Sequence, residues 1–252
     1  MAKVLIINGS PRVNGNTAIA VREMENVFQE NGVEVKTVQI GNKDIRGCIA
    51  CGRCYETGKC AFDDVVNELA GEFEKADGLV VASPVYYASA NATLIACLDR
   101  LFYSTHFDKR MKVGASVVCA RRGGCSATFD ELNKYFTISN MPIASSQYWN
   151  SIHGRQQGEA EMDEEGKQTM NKEQMTIKAL FDTSKTQAGK RLSKYTYPWE
   201  VLPHIGEIAE AIGKRLPQDE YNHLGKNIWI HKSVNVPPTV ALRGPAVIGP
   251  KT

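Results

Sequence analysis

The chain has 252 residues, of which 42% are hydrophobic and 23% charged, and its net charge is +2. These values exclude a disordered or fibrous protein and leave enough apolar material for one large core or two small ones. The cationic residues are scattered, which argues against a nucleic-acid surface, and no apolar run approaches the roughly 18 residues of a membrane span.

The opening, MAKVLIINGSPR, is too short to be a secretion signal, and the cysteine count is odd at seven. Both features predict a reducing, cytoplasmic setting, in which clustered Cys bind metal or do redox work rather than pair as disulfides. From KVLIIN (3–8) onward, two periods alternate. Further strand-like runs are VEVKTVQI (33–40), GLVVASPV (78–85), VGASVVCA (113–120) and PIASSQYW (142–149). Between them, apolar residues recur at helical spacing. The first set follows Thr17 and ends at the turn Asn31-Gly32. Later sets are Val65, Val66, Leu69, Phe73 and Ala76, then Leu94, Leu98, Leu101 and Phe102, and a weaker set over 125–140. Near-continuous apolar strands separated by amphipathic helices predict an α/β fold, a doubly wound five-stranded parallel sheet. Such sheets bind ligands beyond the carboxyl ends of their strands.

Three loops fall at that edge. The first, NGSPRVNGNT (8–17), is not a Walker loop, because Gly9 and Gly15 are one residue too far apart and no Lys follows. It does bring Ser10, Arg12, Asn16 and Thr17 to the start of a helix, a set suited to one phosphate dianion. A Gly/Asn-rich turn with Thr17 as helix cap is the ligand-free alternative. The second loop, SPVYYASAN (83–91), offers Pro84, Tyr86 and Tyr87 as a flat wall. In the third, ARRGG (120–124), Gly123 and Gly124 allow backbone amides to approach a planar ligand.

The segments GSPRVNGNT and ADGLVVASPVYYASANATLIACLDR, with the Arg-Arg-Gly-Gly turn, resemble the NADPH-dependent FMN reductase family, which has the flavodoxin-like fold. The resemblance covers about residues 1–169. It implies that Ser10, Arg12, Asn16 and Thr17 hold the FMN phosphate. It also implies that Pro84, Val85, Tyr86 and Tyr87 face the isoalloxazine ring, with Arg122 and Gly123 closing the other side.

Between the second strand and the next helix lies CIACGRCYETGKC, which places Cys48, Cys51, Cys54 and Cys60 at the same edge with spacing C-x2-C-x2-C-x5-C. Four thiolates this compact suit a 4Fe–4S cluster, and the stretch resembles the cysteine motif of the iron–sulfur flavoproteins, a branch of the same family. Zinc and thiol redox chemistry are the alternatives. Cys97, Cys119 and Cys125 lack such spacing and read as packing residues. The five His residues are dispersed and read as structural.

Past residue 169 the resemblance fades. A helix crossing this point would set Met162, Met170, Ile177 and Phe181 on one apolar stripe, so the last helix of the first domain (1–169) is expected to run to about 182. The stretch 170–226 reads as a helical linker, with a helix near 203–215 between Pro203 and Pro217. Ile230, Val236, Leu242 and Ile248 then recur every six residues. That period marks a left-handed β-helix, and 227–252 resembles the truncated start of a hexapeptide-repeat acyl- or nucleotidyltransferase.

The expected function is an FMN-dependent oxidoreductase. NAD(P)H would be the electron donor, and a quinone, a nitro or azo compound or a redox protein the acceptor. The chain is expected to be a homodimer or higher oligomer. A non-enzymatic flavin or iron–sulfur electron carrier is the alternative, and a transferase activity of the C-terminal segment is a third reading.

Overall fold

A computed structural model describes residues 1–184, of which 1–182 make one compact unit. The expected helix near 203–215 and the hexapeptide-repeat fragment at 227–252 lie outside the described residues.

Strand β1 (Lys3–Asn8) leads into α1 (Asn16–Glu30), β2 (Glu34–Gln39), the short α2 (Arg53–Thr57) and α3 (Val65–Lys75). Next come β3 (Gly78–Tyr86), the two-residue β4 (Ser89–Ala90), α4 (Ala92–Ser104), β5 (Val113–Ala120) and α5 (Cys125–Ile138). The described chain closes with β6 (Ser151–His153), a single 3-10 turn (Glu159–Met162) and α6 (Glu164–Ser184). The strands lie in the order β2-β1-β3-β5-β6, all parallel, with β4 folded back antiparallel on β3. Setting that hairpin aside, the order is 2-1-3-4-5, the flavodoxin-like arrangement.

Burial follows from the pleat. Val4 and Ile6 of β1 point into one core layer, and Leu5 and Ile7 point into the other, all four fully buried. Ile19, Met24 and Phe28 of α1 cover the first face together with Met170, Ile177 and Phe181 of α6. The second face carries Val66, Leu69 and Phe73 of α3, Leu94, Leu98 and Leu101 of α4, and Leu132 and Phe136 of α5.

Two expectations need correction. The run 142–149 is not a continuous strand. Pro142 and Ala144 bond across Gly114, after which the chain leaves the sheet and exposes Tyr148 and Trp149. It rejoins β5 only at Asn150, whose carbonyl accepts from Val118 N–H, so the paired strand is Ser151–His153. Polar Ser145, Ser146 and Gln147 have no core face to satisfy there, which is why pairing lapses. Met162 is the second correction. It sits in the 3-10 turn before α6 and is 75% exposed, so among the described residues the buried stripe of α6 is Met170, Ile177 and Phe181, with Leu180 partly buried beside it.

Phe181 seats against Gly78, where an added Cβ would come within 2.8 Å of the ring. The sheet therefore opens a notch for this helix by omitting a side chain. Phe181→Ala is expected to cost about 3–5 kcal/mol. Stopping the chain after Thr169, which also removes Met170 and Ile177, should cost more. Urea unfolding that fails to separate either variant from the full chain would show that α6 contributes nothing to the core.

Candidate functional site

At the carboxyl edge of the sheet, the loop after β1 folds on itself. Ser10 is buried, its N–H donates to Asn8 Oδ1 at 3.0 Å, and its Oγ accepts from Arg12 N–H at 3.2 Å. The loop is tight enough that a Cβ on Gly15 would lie 2.9 Å from Arg12 Cβ. A Cβ on Gly41, beyond β2, would lie 2.2 Å from the Gly9 carbonyl oxygen. Gly15 is the N-cap of α1, and no side chain caps that helix, so its first N–H groups keep their positive partial charge. Thr17 is therefore not a cap. It is buried, and its hydroxyl reaches the Cys119 thiol, which burial pushes up to about 12. The guanidinium of Arg12 is exposed and makes no ion pair or hydrogen bond among the described residues. Asn16 is engaged elsewhere. Its amide donates to the Gln156 carbonyl at 2.8 Å, and its oxygen accepts from Gly158 N–H at 2.9 Å, which pins the loop after β6.

The second loop is a two-residue hairpin. Tyr86 pairs with Ser89, and between them Tyr87 (φ 52°) and Ala88 (φ 60°) are both left-handed, the geometry of a type I′ turn. Asn-Gly usually occupies such a turn, so Tyr-Ala costs about 1–2 kcal/mol per residue. The surroundings hold it in place. Glu131 of α5 accepts from Ala90 N–H at 2.8 Å and from Ser89 Oγ at 2.9 Å. Gly124 (φ 93°) lets the start of α5 approach, for a Cβ there would lie 2.9 Å from Ala88 Cα. The result is a fully exposed Tyr87 ring beside a half-exposed Tyr86, with Pro84 and Val85 at their base and the exposed Arg122-Gly123 turn nearby.

The four clustered cysteines line one cavity, together with Phe62, Arg100, Tyr103 and Ser104. Cys48 and Cys51 are exposed, Cys54 is buried and Cys60 lies between. Left-handed backbone at Ala50 (φ 52°) and Gly52 (φ 72°) curls the loop so that Ala50 N–H points at Cys48 Sγ, 3.4 Å away. Asn67 fixes Cys60 through hydrogen bonds to its N–H and carbonyl. Arg100, 1% exposed, donates Nε to Cys60 Sγ at 3.2 Å and forks onto Asp64 at 2.7 and 2.8 Å. Burial would lower its pKa, but Asp64 and then Cys60 more than offset that effect. The Ser104 hydroxyl, buried in the same cavity wall, has no hydrogen-bond partner among the described residues.

Comparison with known proteins bears on these loops. The NADPH-dependent FMN reductase family model matches residues 2–156. The chain belongs to that family. It is 34% identical over 175 residues to an iron–sulfur flavoprotein of Methanocaldococcus jannaschii, covering 66% of this chain and 91% of that protein. An iron–sulfur flavoprotein of Methanosarcina thermophila is likewise 34% identical, over 71% of this chain and 94% of its own. Among solved structures, RosB with bound 8-demethyl-8-formylriboflavin-5'-phosphate superposes with a TM-score of 0.64 at 15% identity, covering 86% of this chain and 88% of that one. At that identity the likeness concerns the fold.

Within this FMN reductase family member, several site residues carried no sequence signal. Arg100 sits among the apolar residues of α4, and an ionisable side chain inside a buried stripe was the available clue. Cys97 and Cys119 are buried as expected, and burial pushes both thiols up to about 12. Cys125 differs. It is only half-buried and faces His153, which in turn faces Asp163. Among the described residues, no group of three Cys, His, Asp or Glu side chains converges on a point where one metal ion would sit. Thiolates lie about 2.3 Å from a zinc ion, so four of them must nearly touch. Those of a cubane each hold a different iron and stand farther apart.

Asp64→Ala would leave the Arg100 charge buried without its carboxylate and would strip the N-cap of α3, whose Val66 N–H bonds Asp64 Oδ1 at 3.0 Å. The expected loss is about 3–5 kcal/mol. Asp108→Ala, which breaks the more exposed pair with Arg110, should stay within about 1 kcal/mol. Equal urea-denaturation midpoints for the two variants would remove Arg100–Asp64 from its structural role.

Proposed function

We propose that the chain is an FMN-dependent oxidoreductase that takes electrons from NAD(P)H and passes them to a small acceptor such as a quinone, nitro or azo compound, or to a redox protein. The observation that carries this reading is the strained Tyr87-Ala88 turn, braced by Glu131 and Gly124, which holds an aromatic ring exposed above an uncapped helix end. Strain of this kind persists where a site needs it. Family membership supports the same reading.

The 9–17 loop fits a phosphate. The first N–H groups of α1 and Arg12, unpaired among the described residues, supply donors and positive charge, Ser10 Oγ can turn its hydrogen from the Arg12 carbonyl to a phosphate, and the space beside Gly15 admits no side chain. Asn16 contributes its backbone N–H, while its side chain ties down the neighbouring loop. Pro84, Val85, Tyr86 and Tyr87 form one wall of the ring site, and Arg122 and Gly123 form the other. Bound there, FMN supplies the hydride and electron chemistry, and the protein supplies orientation and polarity. Tyr86 and Tyr87 exclude water from one face, and Arg122 places positive charge where reduction adds negative charge.

Cys48, Cys51, Cys54 and Cys60 would hold a 4Fe–4S cluster. Support comes from the shared cavity, the Arg100 donor on Cys60 and the Ser104 hydroxyl, which has no partner among the described residues. Arg100 and the inward N–H of Ala50 offset the negative charge of four thiolates, which raises the potential of whatever they bind. A homodimer built over the exposed Tyr148 and Trp149 would complete the assembly.

Arg12→Ala should weaken FMN binding by about 1.5–3 kcal/mol in a fluorescence titration. An unchanged affinity would place the phosphate elsewhere. Anaerobic mixing with NADPH or NADH should bleach the bound flavin, whereas a flavin reduced only by dithionite would indicate an electron carrier. Anaerobically purified protein should carry about four iron per chain, and Cys51→Ser should lose that iron while keeping its FMN. Iron-free wild-type protein that retains flavin would overturn the cluster assignment and leave the flavin site standing.

A further inference from the structure

Adjoining the flavin wall at Arg122, a cleft of about 380 Å³ opens where β5 and β6 end, lined also by Arg121, His153, Arg155, Glu159 and Asp163. None of its three guanidinium groups makes a salt bridge or side-chain hydrogen bond among the described residues. Its acids are already committed. Backbone N–H groups at Gln156 and Arg155, followed by the Arg155 and Arg121 charges, hold Glu159 below the usual carboxylate range. Asp163 accepts from Gly166 N–H at 2.9 Å as the cap of α6, and from His153 N–H at 2.7 Å. The cleft is therefore a cationic surface with its counter-charges tied down.

A nucleophile sits beside it. Cys125 Sγ lies 3.7 Å from His153 Nε2, and His153 Nδ1 lies 3.5 Å from Asp163 Oδ2. The carboxylate is thus on one ring nitrogen and the thiol on the other, the order in which a base is oriented toward a nucleophile. Cys125 is the first residue of α5, a helix without a side-chain cap, whose dipole offsets part of the burial cost when the sulfur becomes anionic during attack.

We infer that Cys125, His153 and Asp163 form a thiol–disulfide exchange site for small disulfides that carry carboxylates. Arg121 and Arg155 attract the anion. Burial raises the Cys125 pKa, so the thiol stays neutral until His153 Nε2 takes its proton during attack. The Cys125 sulfur bonds to one sulfur of the disulfide, the S–S bond breaks, and the departing thiolate takes the proton from His153. Cys125 is oxidised to a mixed disulfide, and one equivalent of small thiol is released. The adduct would stand at the Arg122-Gly123 turn, so exchange at this thiol can close the neighbouring ring site. The exchange chemistry does not depend on the flavin reading; only its effect on the ring site rests on it.

The test uses the full-length protein as purified, with limiting dithiobis-nitrobenzoate as the anionic disulfide and dithiodipyridine as the neutral one. Quenched samples are mapped by peptide mass spectrometry, and the rate at Cys125 is divided by the rate of free N-acetylcysteine with the same reagent. That ratio should be about tenfold or more higher for the anionic reagent. The preference should disappear in the surface variant Arg121→Gln/Arg155→Gln. His153→Gln should slow Cys125 about a hundredfold or more on the same scale. Equal ratios for the two reagents, a preference for the anionic reagent surviving the double arginine variant, or a His153→Gln protein thiolated at Cys125 as fast as wild type would each overturn the inference. The reagent comparison needs no substitution, so it remains decisive if a variant misfolds.

Discussion

A guanidinium with no exposed surface must be compensated where it lies, and in this protein that requirement organises the region behind the cysteines. Arg100 projects from α4 with its side chain fully enclosed. Its fork takes both oxygens of Asp64, and its remaining donors go to the Arg46 carbonyl and Cys60 Sγ. The Phe62 ring stacks 5.0 Å from the guanidinium carbon. One side chain thereby gathers residues 46, 60, 62 and 64, which otherwise belong to a long connection between β2 and α3. Removing water from such a charge costs several kcal/mol unless every donor is met. The loop can therefore adopt few other conformations, and the cysteine spacing becomes a fixed cavity rather than a mobile strap.

The same economy operates at the sheet edge. A parallel sheet covered on both faces leaves only the carboxyl ends of its strands open to a ligand, and each loop there is shaped by an omission or a strain. Gly15 and Gly41 leave room where a Cβ would collide with the turn after β1. Tyr87 and Ala88 accept left-handed backbone that glycine would adopt freely, because Glu131 holds the hairpin from below. The cost is local and the restraint comes from α5. The geometry of the aromatic wall thus depends on a helix that contributes no ring of its own.

Much of this was legible in the sequence. Short apolar runs such as Val4–Ile7, alternating with amphipathic helical segments, indicate strands buried on both faces, so the layered sheet and the edge that carries the loops followed from the sequence pattern. The divided last strand was not legible, because Ile143, Tyr148 and Trp149 carry the composition of a strand while the chain between them has left the sheet. The Cys125–His153 contact spans 28 residues, and Asp163 lies 10 beyond His153. Neither separation matches a helical or strand period, so only the return of β6 alongside β5 brings them together. Asn16 has a second task that its sequence position does not reveal. Its position at a helix start suggests a ligand, yet its amide serves the loop that crosses above it.

That crossing loop links the end of the described chain to its chemistry. Asp163 is at once the cap of α6, an acceptor for the His153 backbone and the neighbour of the His153 ring. Where α6 begins is therefore where His153 is held, and α6 is set by Phe181 in the Gly78 notch at its other end. Helix position and ring orientation share one carboxylate. A change that loosens Phe181 would free the start of the helix and, with it, the restraint on His153, although the two residues never touch. The tightly buried stripe of Met170, Ile177 and Phe181 is thus more than cover for one face of the sheet. It also holds the helix capped by Asp163, a residue of the cationic cleft.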